Sequence, residues 1–225
     1  MESVRAECAK CGMKEKACRS PEGQAPPYCP TVVSRATITS IAGEYEKPDV
    51  LEFARQASIQ ESECYTDRGT RPYVLHPIKT RVQETCEFAR RMGYRRIGVA
   101  FCAGLHQEAR TLVEILEAQG FEVVSVVCKV GCTPKASLGL RDDQQVRAGE
   151  FESMCSPIAQ AALLNDAHTD LNILVGLCVG HDSLFLKYGQ APCTVLVTKD
   201  RVLGHAPASA LYNTSSYYAW LKQPR

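Results

Sequence analysis

Short apolar runs alternate with helix-period segments through the second half of the chain. The runs occupy residues 96–102, 121–128, 171–178 and 194–199, and helical patterns separate them at 105–119, 156–167 and 182–188. Strands that are apolar on both faces, each followed by a helix, are typical of a parallel sheet covered by helices on both sides. The alternation therefore predicts an α/β fold with a three-layer parallel sheet, Rossmann-like or flavodoxin-like, preceded by N-terminal helices and a Cys-rich, metal-stapled segment.

The pattern divides the 225 residues into four predicted parts. Residues 1–30 hold few large aliphatic side chains, so this Cys-rich segment needs a metal to order it. Residues 31–93 read as a helical collar, because Pro48 suits a first helical turn and an apolar stripe of helical period follows it. Residues 94–205 form the α/β domain with a metal site at its rim. Residues 206–225 form a tail that packs on the body or on a second copy in a homodimer.

Charge and hydropathy exclude several partners. A net charge of +1 and a pI near 7.5 give no field that would attract nucleic acid or a membrane surface. No stretch reaches the ~18 apolar residues of a membrane span, and the start lacks the apolar region of a secretion signal. We therefore expect a cytoplasmic protein whose partners are a small-molecule substrate or a redox partner.

Four of the twelve cysteines fall where a parallel sheet places its ligands. Cys102, Cys128 and Cys178 end three predicted strands, and Cys155 precedes a predicted helix. Adjacent strands lie ~4.8 Å apart, so these thiols can converge on one four-iron cluster. Cys132 is a substitute ligand, whereas Cys64, Cys86 and Cys193 are expected to be small core residues. The alternative is that the four rim cysteines are also small core residues that bind no metal.

A second group of cysteines lies near the N-terminus. Cys8, Cys11, Cys18 and Cys29 are spaced by two, six and ten residues among glycines and prolines. Four thiolates in so small a segment suit tetrahedral zinc or a second iron-sulfur cluster. Cytosolic proteins rarely keep disulfides, so metal ligation is favoured over secretion with six disulfides. Four unliganded thiols remain the plain alternative.

One segment suggests different chemistry. Residues 176–181, Gly-Leu-Cys-Val-Gly-His, have the form of a nucleophile elbow and resemble the corresponding element of class I glutamine amidotransferases. This resemblance implies a catalytic Cys178, with His181 or His205 as base and Asp182 as a hydrogen-bonding partner or helix cap. No His-Pro-Glu element follows, so the triad of that family is incomplete.

Longer motifs extend over nearly the whole chain. They are Cys8, Cys11 and the segments at 28–30, 76–81, 100–105, 127–129, 154–161, 176–182 and 199–205. In these motifs the chain resembles an uncharacterised family of cysteine-rich, metal-binding proteins, a domain of unknown function, from anaerobic bacteria and archaea. This resemblance implies metal binding in an anaerobic cytoplasm and no particular reaction.

Together these patterns predict a cytoplasmic iron-sulfur protein with redox or sulfur-related chemistry at the rim. A 4Fe-4S cluster would be bound by the four rim cysteines, and a second cluster or zinc by the four N-terminal ones. Two other functions stay open. One is a thiol hydrolase built on Cys178, and the other is an interaction module with structural zinc.

Overall fold

The structure is a computed structural model that describes residues 5–224, and the chain divides after Glu63 into two units. Residues 1–4 and 225 belong to the predicted Cys-rich segment and the predicted tail, and they lie outside the described residues. Within residues 5–224, no helix has both the length and the apolar character needed to cross a membrane.

The first unit begins with irregular backbone and ends in helices. Backbone hydrogen bonds hold the irregular part together, with Ala17 N–H donating to Gln24 O over 3.0 Å and Gln24 N–H to Glu15 O over 2.8 Å. Prolines open two of its α-helices, as expected for a residue without an amide hydrogen. The helices are a 3₁₀ turn at Cys8–Lys10, α1 at Pro30–Val33, α2 at Arg35–Ile41, a second 3₁₀ turn at Ala42–Glu46 and α3 at Pro48–Glu63.

The second unit is built around a four-stranded parallel sheet. It confirms the prediction of a mixed α/β fold with a parallel sheet. Its strands are β3 at Arg96–Phe101, β4 at Glu122–Val127, β5 at Leu171–Val175 and β6 at Cys193–Val197, in the order β4-β3-β5-β6. Its helices are α4 at Arg81–Arg91, α5 at His106–Ala118, α6 at Pro157–Asp166, α7 at His181–Tyr188 and α8 at Ala208–Tyr212.

A short hairpin precedes this sheet. Strands β1, at Tyr65–Thr66, and β2, at His76–Pro77, pair antiparallel. This hairpin lies within the region predicted as a helical collar, at the place where its prolines predict a break between helices. The prolines at 72 and 77 deny helical hydrogen bonds to that stretch.

Helices pack on the sheet through two apolar clusters. Val99 of β3 joins a cluster that includes Leu112 of α5, whereas the next residue, Ala100, joins a cluster that includes Leu164 of α6 and Phe185 of α7. Successive side chains of a strand point to opposite faces, so β3 is covered by different helices on its two sides. Each fully buried large apolar side chain contributes about 1.5–3 kcal/mol to this packing.

The predicted strand boundaries differ from the observed ones mainly at β5. That strand ends at Val175, so Cys178 lies three residues beyond it and is not the last residue of a strand. Gly176 turns the chain there with a φ of +65°, and an added Cβ would lie 2.5 Å from Leu105 Cδ2. Only glycine accepts both the positive φ and this close approach. By contrast, Cys102 and Cys128 directly follow β3 and β4.

Candidate functional site

Three cysteines meet at the carboxyl end of the sheet. The Sγ atoms of Cys128 and Cys155 lie 3.8 Å apart, and the thiols of Cys102 and Cys128 share a hydrogen bond. Cys128 is 3% exposed, and its two neighbours are half-buried. We call Cys102, Cys128 and Cys155 the rim trio.

Backbone hydrogen bonds beyond the strand ends hold the trio in place. Cys102 N–H donates to Val175 O over 3.0 Å, and Cys128 N–H donates to Phe101 O over 2.8 Å. These bonds extend the parallel ladder one residue past β3 and β4. Ser156 N–H donates to Cys128 O over 2.7 Å, which ties the segment before α6 to the same edge. The sheet edge therefore brings the three thiols together.

Proton sharing sets the charge of the first pair. The hydrogen bond from the Cys128 thiol, together with the Gly104 amide and the Lys199 ammonium, lowers the pKa of Cys102 to about 5. The same sharing with both neighbours raises the pKa of Cys128 far above its ordinary value, and burial adds to this. Ala103 N–H also donates to Cys128 Sγ over 3.4 Å. Cys102 is therefore a thiolate at neutral pH and Cys128 a thiol.

Cys155 is the second thiolate of the trio. Its hydrogen bond with Cys128, aided by the nearby charges of Lys129 and His181, lowers its pKa to about 6. The Lys129 ammonium also donates to Ser153 O, which holds it beside the trio. A thiol between two thiolates, with lysines on both sides, is a donor set for a soft cation.

The fourth predicted rim ligand, Cys178, has a different hydrogen-bond partner. Arg201 Nη2 donates to Cys178 Sγ over 3.1 Å, and no hydrogen bond links Cys178 to another cysteine among the described residues. The turn at Gly176 comes between the end of β5 and Cys178. Cys178 as the fourth rim ligand therefore stays a prediction.

Neither predicted base makes a side-chain hydrogen bond to the Cys178 thiol within residues 5–224. His205 Nδ1 accepts from Asp200 N–H over 3.1 Å, and His181 Nδ1 is buried without a hydrogen-bond partner within residues 5–224. Asp182 Oδ1 accepts from the amides of Gly180 and Ser183, so this carboxylate organises the start of its own helix. The arrangement gives Cys178 a guanidinium neighbour where a hydrolase would have a histidine.

Sequence reasoning missed three polar residues of this edge. Lys199 and Arg201 follow β6, which ends at the same rim, so their position after an apolar run was the available signal. Gln160 of α6 is fully buried, and its Nε2 donates to Val126 O over 2.7 Å and Phe101 O over 3.2 Å. An isolated glutamine in a helix gave no signal of this bridge. Lys135, in the loop after β4, pairs with Glu152 at 3.0 Å.

The N-terminal cysteines surround a single cavity of the first unit. This cavity has a volume of about 80 Å³. It is lined by Cys8, Cys11, Lys16, Cys18, Pro26, Tyr28, Cys29 and Thr31. The structure thus gathers all four predicted ligands of this segment around one space.

The remaining cysteines match their expected roles in part. Cys64 and Cys86 are buried, as expected of core residues, whereas Cys193 is half-buried and Cys132 is exposed. All twelve cysteines lie within residues 5–224, and none of them forms a disulfide there. In this part of the chain, no three Cys, His, Asp or Glu side chains already stand in the arrangement of metal ligands. Support for a metal therefore comes from the donor chemistry of the thiols.

Comparison with known proteins gives a family and one relative. The family described as "Protein of unknown function (DUF1847)" matches residues 29–196, a range that contains the rim trio and Cys178. An uncharacterised protein of Methanocaldococcus jannaschii is 44% identical over 178 residues, which cover 79% of this chain and 83% of that protein. No solved structure matches the chain.

Proposed function

The chain belongs to the DUF1847 family of proteins of unknown function, and we propose that it is a metal-binding protein whose rim trio binds a soft metal through thiolates. The observation that carries this proposal is the contact of three thiols at one sheet edge, with 3.8 Å between Cys128 and Cys155 Sγ. Isolated core cysteines have no reason to share protons or to be flanked by lysines.

The residues at the rim fit such a metal. Thiolates prefer zinc, copper(I) and iron-sulfur clusters. Lys129 and Lys199 offset part of the negative charge that three thiolates bring to the site, and amide donors to sulfur come from Ala103 and Gly104. A metal with three thiolate ligands and one open position would supply Lewis-acid or electron-transfer chemistry.

The distance within the trio favours a single ion over a cube. Two sulfurs bound to one tetrahedral metal at ~2.3 Å lie ~3.8 Å apart, whereas a four-iron cube spreads its cysteine sulfurs to roughly 6–7 Å. The observed 3.8 Å between the Cys128 and Cys155 sulfurs matches the spacing expected for one tetrahedral metal ion. A mononuclear thiolate site is therefore the leading form of the proposal, and the 4Fe-4S cluster is the second form.

The charges at this edge of the sheet suit an anionic small molecule. Neither Lys199 nor Arg201 has a carboxylate partner within residues 5–224, and both lie at the rim beside a cysteine. In the order β4-β3-β5-β6, the chain leaves β3 towards one edge of the sheet and leaves β5 towards the other. Open α/β sheets bind ligands at such a point between two strands, and Cys102 and Cys178 follow these two strands. We extend the proposal to a flavodoxin-like layering of this sheet and to an anionic substrate or a redox partner at this edge.

The N-terminal cavity is proposed as a separate structural site. Cys8, Cys11, Cys18 and Cys29 line it, and residues 11–29 have little regular secondary structure to stabilise them. Zinc or a small iron-sulfur cluster held by these thiols would serve as the core of the segment.

Metal analysis of cysteine variants tests the proposal. Anaerobically purified protein should lose about one equivalent of rim metal in Cys102→Ser, Cys128→Ser and Cys155→Ser, since each removes a ligand. Cys193→Ser is the matched control, because Cys193 begins a strand of the same sheet at its opposite end. Acid-labile sulfide distinguishes the cluster from a single ion. Wild-type metal content in all three rim variants would refute the proposal.

A nucleophilic Cys178 is the second candidate function. It is favoured by the hydrogen bond from Arg201, because a charged donor on sulfur is an arrangement that thiolate nucleophiles use. In this case Cys178→Ser should keep the full metal content and lose turnover of an ester or amide substrate, while Cys102→Ser should keep that turnover. Loss of metal in Cys178→Ser would instead make Cys178 the fourth ligand.

A further inference from the structure

We infer that, in the metal-free protein, Cys155 and Cys128 form a dithiol–disulfide couple in which Cys155 reacts first and Cys128 resolves. This inference uses the site of the proposed function but does not depend on its metal. A disulfide at this place would remove two of the three sulfur ligands of the trio, so oxidation and metal binding would exclude each other.

The backbone around the two cysteines fixes their approach. Ser156 N–H donates to Cys128 O over 2.7 Å, directly after Cys155, and Met154 N–H donates to Thr133 O over 2.8 Å, directly before it. The segment that carries Cys155 is thus bonded on both sides to the segment that follows Cys128. The sulfurs already lie 3.8 Å apart. Closing this gap to the ~2.05 Å of a disulfide requires only a short movement of the two sulfurs.

Exposure assigns the order of the two steps. Cys128 is 3% exposed, whereas Cys155 is half-buried. A small-molecule disulfide therefore meets Cys155 first. The buried Cys128 is shielded from a bulky oxidant, yet it lies against Cys155 Sγ, which is the position that a resolving thiol needs.

The chemistry balances with a small disulfide as oxidant. Cys155 thiolate attacks one sulfur of the disulfide, which breaks the S–S bond, releases one thiolate and leaves a mixed disulfide on Cys155. The Cys128 thiol then gives its proton to solvent and attacks Cys155 Sγ, and the second small thiolate departs. Two protein thiols are oxidised, and one small disulfide is reduced to two thiols.

Cys102 is the competing partner for Cys128. It shares a hydrogen bond with Cys128, but the Gly104 amide and the Lys199 ammonium also hold its sulfur. Cys155 has the Lys129 ammonium as such a neighbour but no amide donor among the described residues, and its sulfur lies 3.8 Å from Cys128 Sγ. The inference therefore commits to the Cys128–Cys155 bond, and a Cys102–Cys128 bond would contradict it.

Peptide mapping of oxidised protein tests the couple. Metal-free protein is treated with oxidised glutathione, blocked and digested with trypsin and an Asp-directed protease, because trypsin alone leaves Cys155 and Cys178 in one peptide. We expect a linked pair of peptides that contain Cys128 and Cys155, and the loss of two free thiols. A stable glutathione adduct on wild-type Cys155, or a link from Cys128 to Cys102, would overturn the inference.

Variants separate the two steps. Cys128→Ser should trap the glutathione adduct on Cys155, and Cys155→Ser should leave Cys128 unmodified because it is buried. Cys102→Ser and Cys193→Ser should both retain the linked peptides, and circular dichroism confirms that each variant is folded. An unmodified Cys155 in folded Cys128→Ser would contradict the assigned order.

The two proposals fail in different ways. Metal content of the freshly reduced protein tests the proposed function, and the linked peptides in metal-free protein test the couple. Metal binding without a Cys128–Cys155 disulfide would refute only the couple. A disulfide in a protein that never binds metal would refute only the metal site. If both hold, oxidised protein should bind no rim metal until a reductant such as dithiothreitol is added.

Discussion

At the scale of single residues, the rim trio is organised by shared protons and fixed charges. The Cys128 thiol is flanked by Cys102 and Cys155, and each of these has a lysine close to its sulfur. The thiolates are favoured because an ammonium and a thiol proton stabilise the charged form of sulfur. Two lysines and one central thiol therefore keep two thiolates available at neutral pH.

Replacing Lys199 should change the titration of one thiol. Lys199→Met removes a cation beside Cys102, so the pKa of this thiol should rise from about 5 by about one unit. The measurement is the pH dependence of iodoacetamide alkylation of Cys102 in metal-free protein, followed by mass spectrometry. Lys129→Met is the matched control, because its cation acts on Cys155 and should leave the Cys102 midpoint unchanged. A wild-type midpoint near pH 9 would contradict the assigned thiolate.

At the scale of elements, the connections after the strands decide which cysteines meet. After β3 and β4, the next residue is already a member of the trio, whereas after β5 a turn at Gly176 comes first. Gln160 of α6 then bridges the ends of β3 and β4 through their carbonyl groups. The geometry of the site thus depends on one turn and one helix.

The turn at Gly176 should tolerate no side chain. Gly176→Ala places a Cβ 2.5 Å from Leu105 Cδ2 at a positive φ, so the free energy of unfolding should fall by about 2–4 kcal/mol. Gly180→Ala is the matched control, because its φ is also positive but no atom lies within 4 Å of the added Cβ. Urea unfolding of both variants gives the comparison. Equal losses would show that contact with Leu105 has no effect.

The Gln160 bridge should support both stability and metal binding. Gln160→Leu removes two buried hydrogen bonds, which contribute about 1 kcal/mol each, and frees the strand ends that carry Cys102 and Cys128. We expect a loss of about 1–2 kcal/mol in the free energy of unfolding and a weaker rim metal, measured by competition with a chromophoric chelator. Gln107→Leu, on the exposed face of α5, should change neither quantity. Unaltered metal affinity in folded Gln160→Leu would contradict this role.

At the scale of the whole molecule, the two units differ in what stabilises them. The unit after Glu63 has two apolar clusters packed on a parallel sheet. In the unit before it, Pro26 is the one buried apolar residue among the described residues 5–63, and four of its cysteines surround one cavity. The first unit is therefore expected to depend on a metal for its order, and the second to depend on its core.

Chelation should separate the two units by their stability. Removing metal should make residues 5–63 sensitive to protease while residues 64–224 stay resistant, because only the latter have a packed core. Limited proteolysis with mass spectrometry, before and after treatment with a strong chelator, measures this. The variant Cys11→Ser should show the same sensitivity without chelator. Protection of residues 5–63 after complete metal removal would contradict the expectation.

The sequence by itself determined the local elements of this protein. Apolar runs and helical stripes between residues 96 and 197 gave β3, β4 and β6 with their ends within two residues, because burial and periodicity act on neighbours along the chain. The same patterns placed Cys102 and Cys128 at strand ends and Cys155 before a helix. The positions of the three cysteines of the rim trio followed from this local information.

Only the tertiary structure decided which side chains share an edge. The order β4-β3-β5-β6, the arrival of Lys199 and Arg201 from β6, and the bridge made by Gln160 all depend on residues far apart in the sequence. The turn that separates Cys178 from the end of β5 lies at Gly176, which packs against Leu105, and no periodic pattern encodes this contact. Strand pairing and helix packing join residues that are far apart in the sequence, so no local sequence motif indicates them.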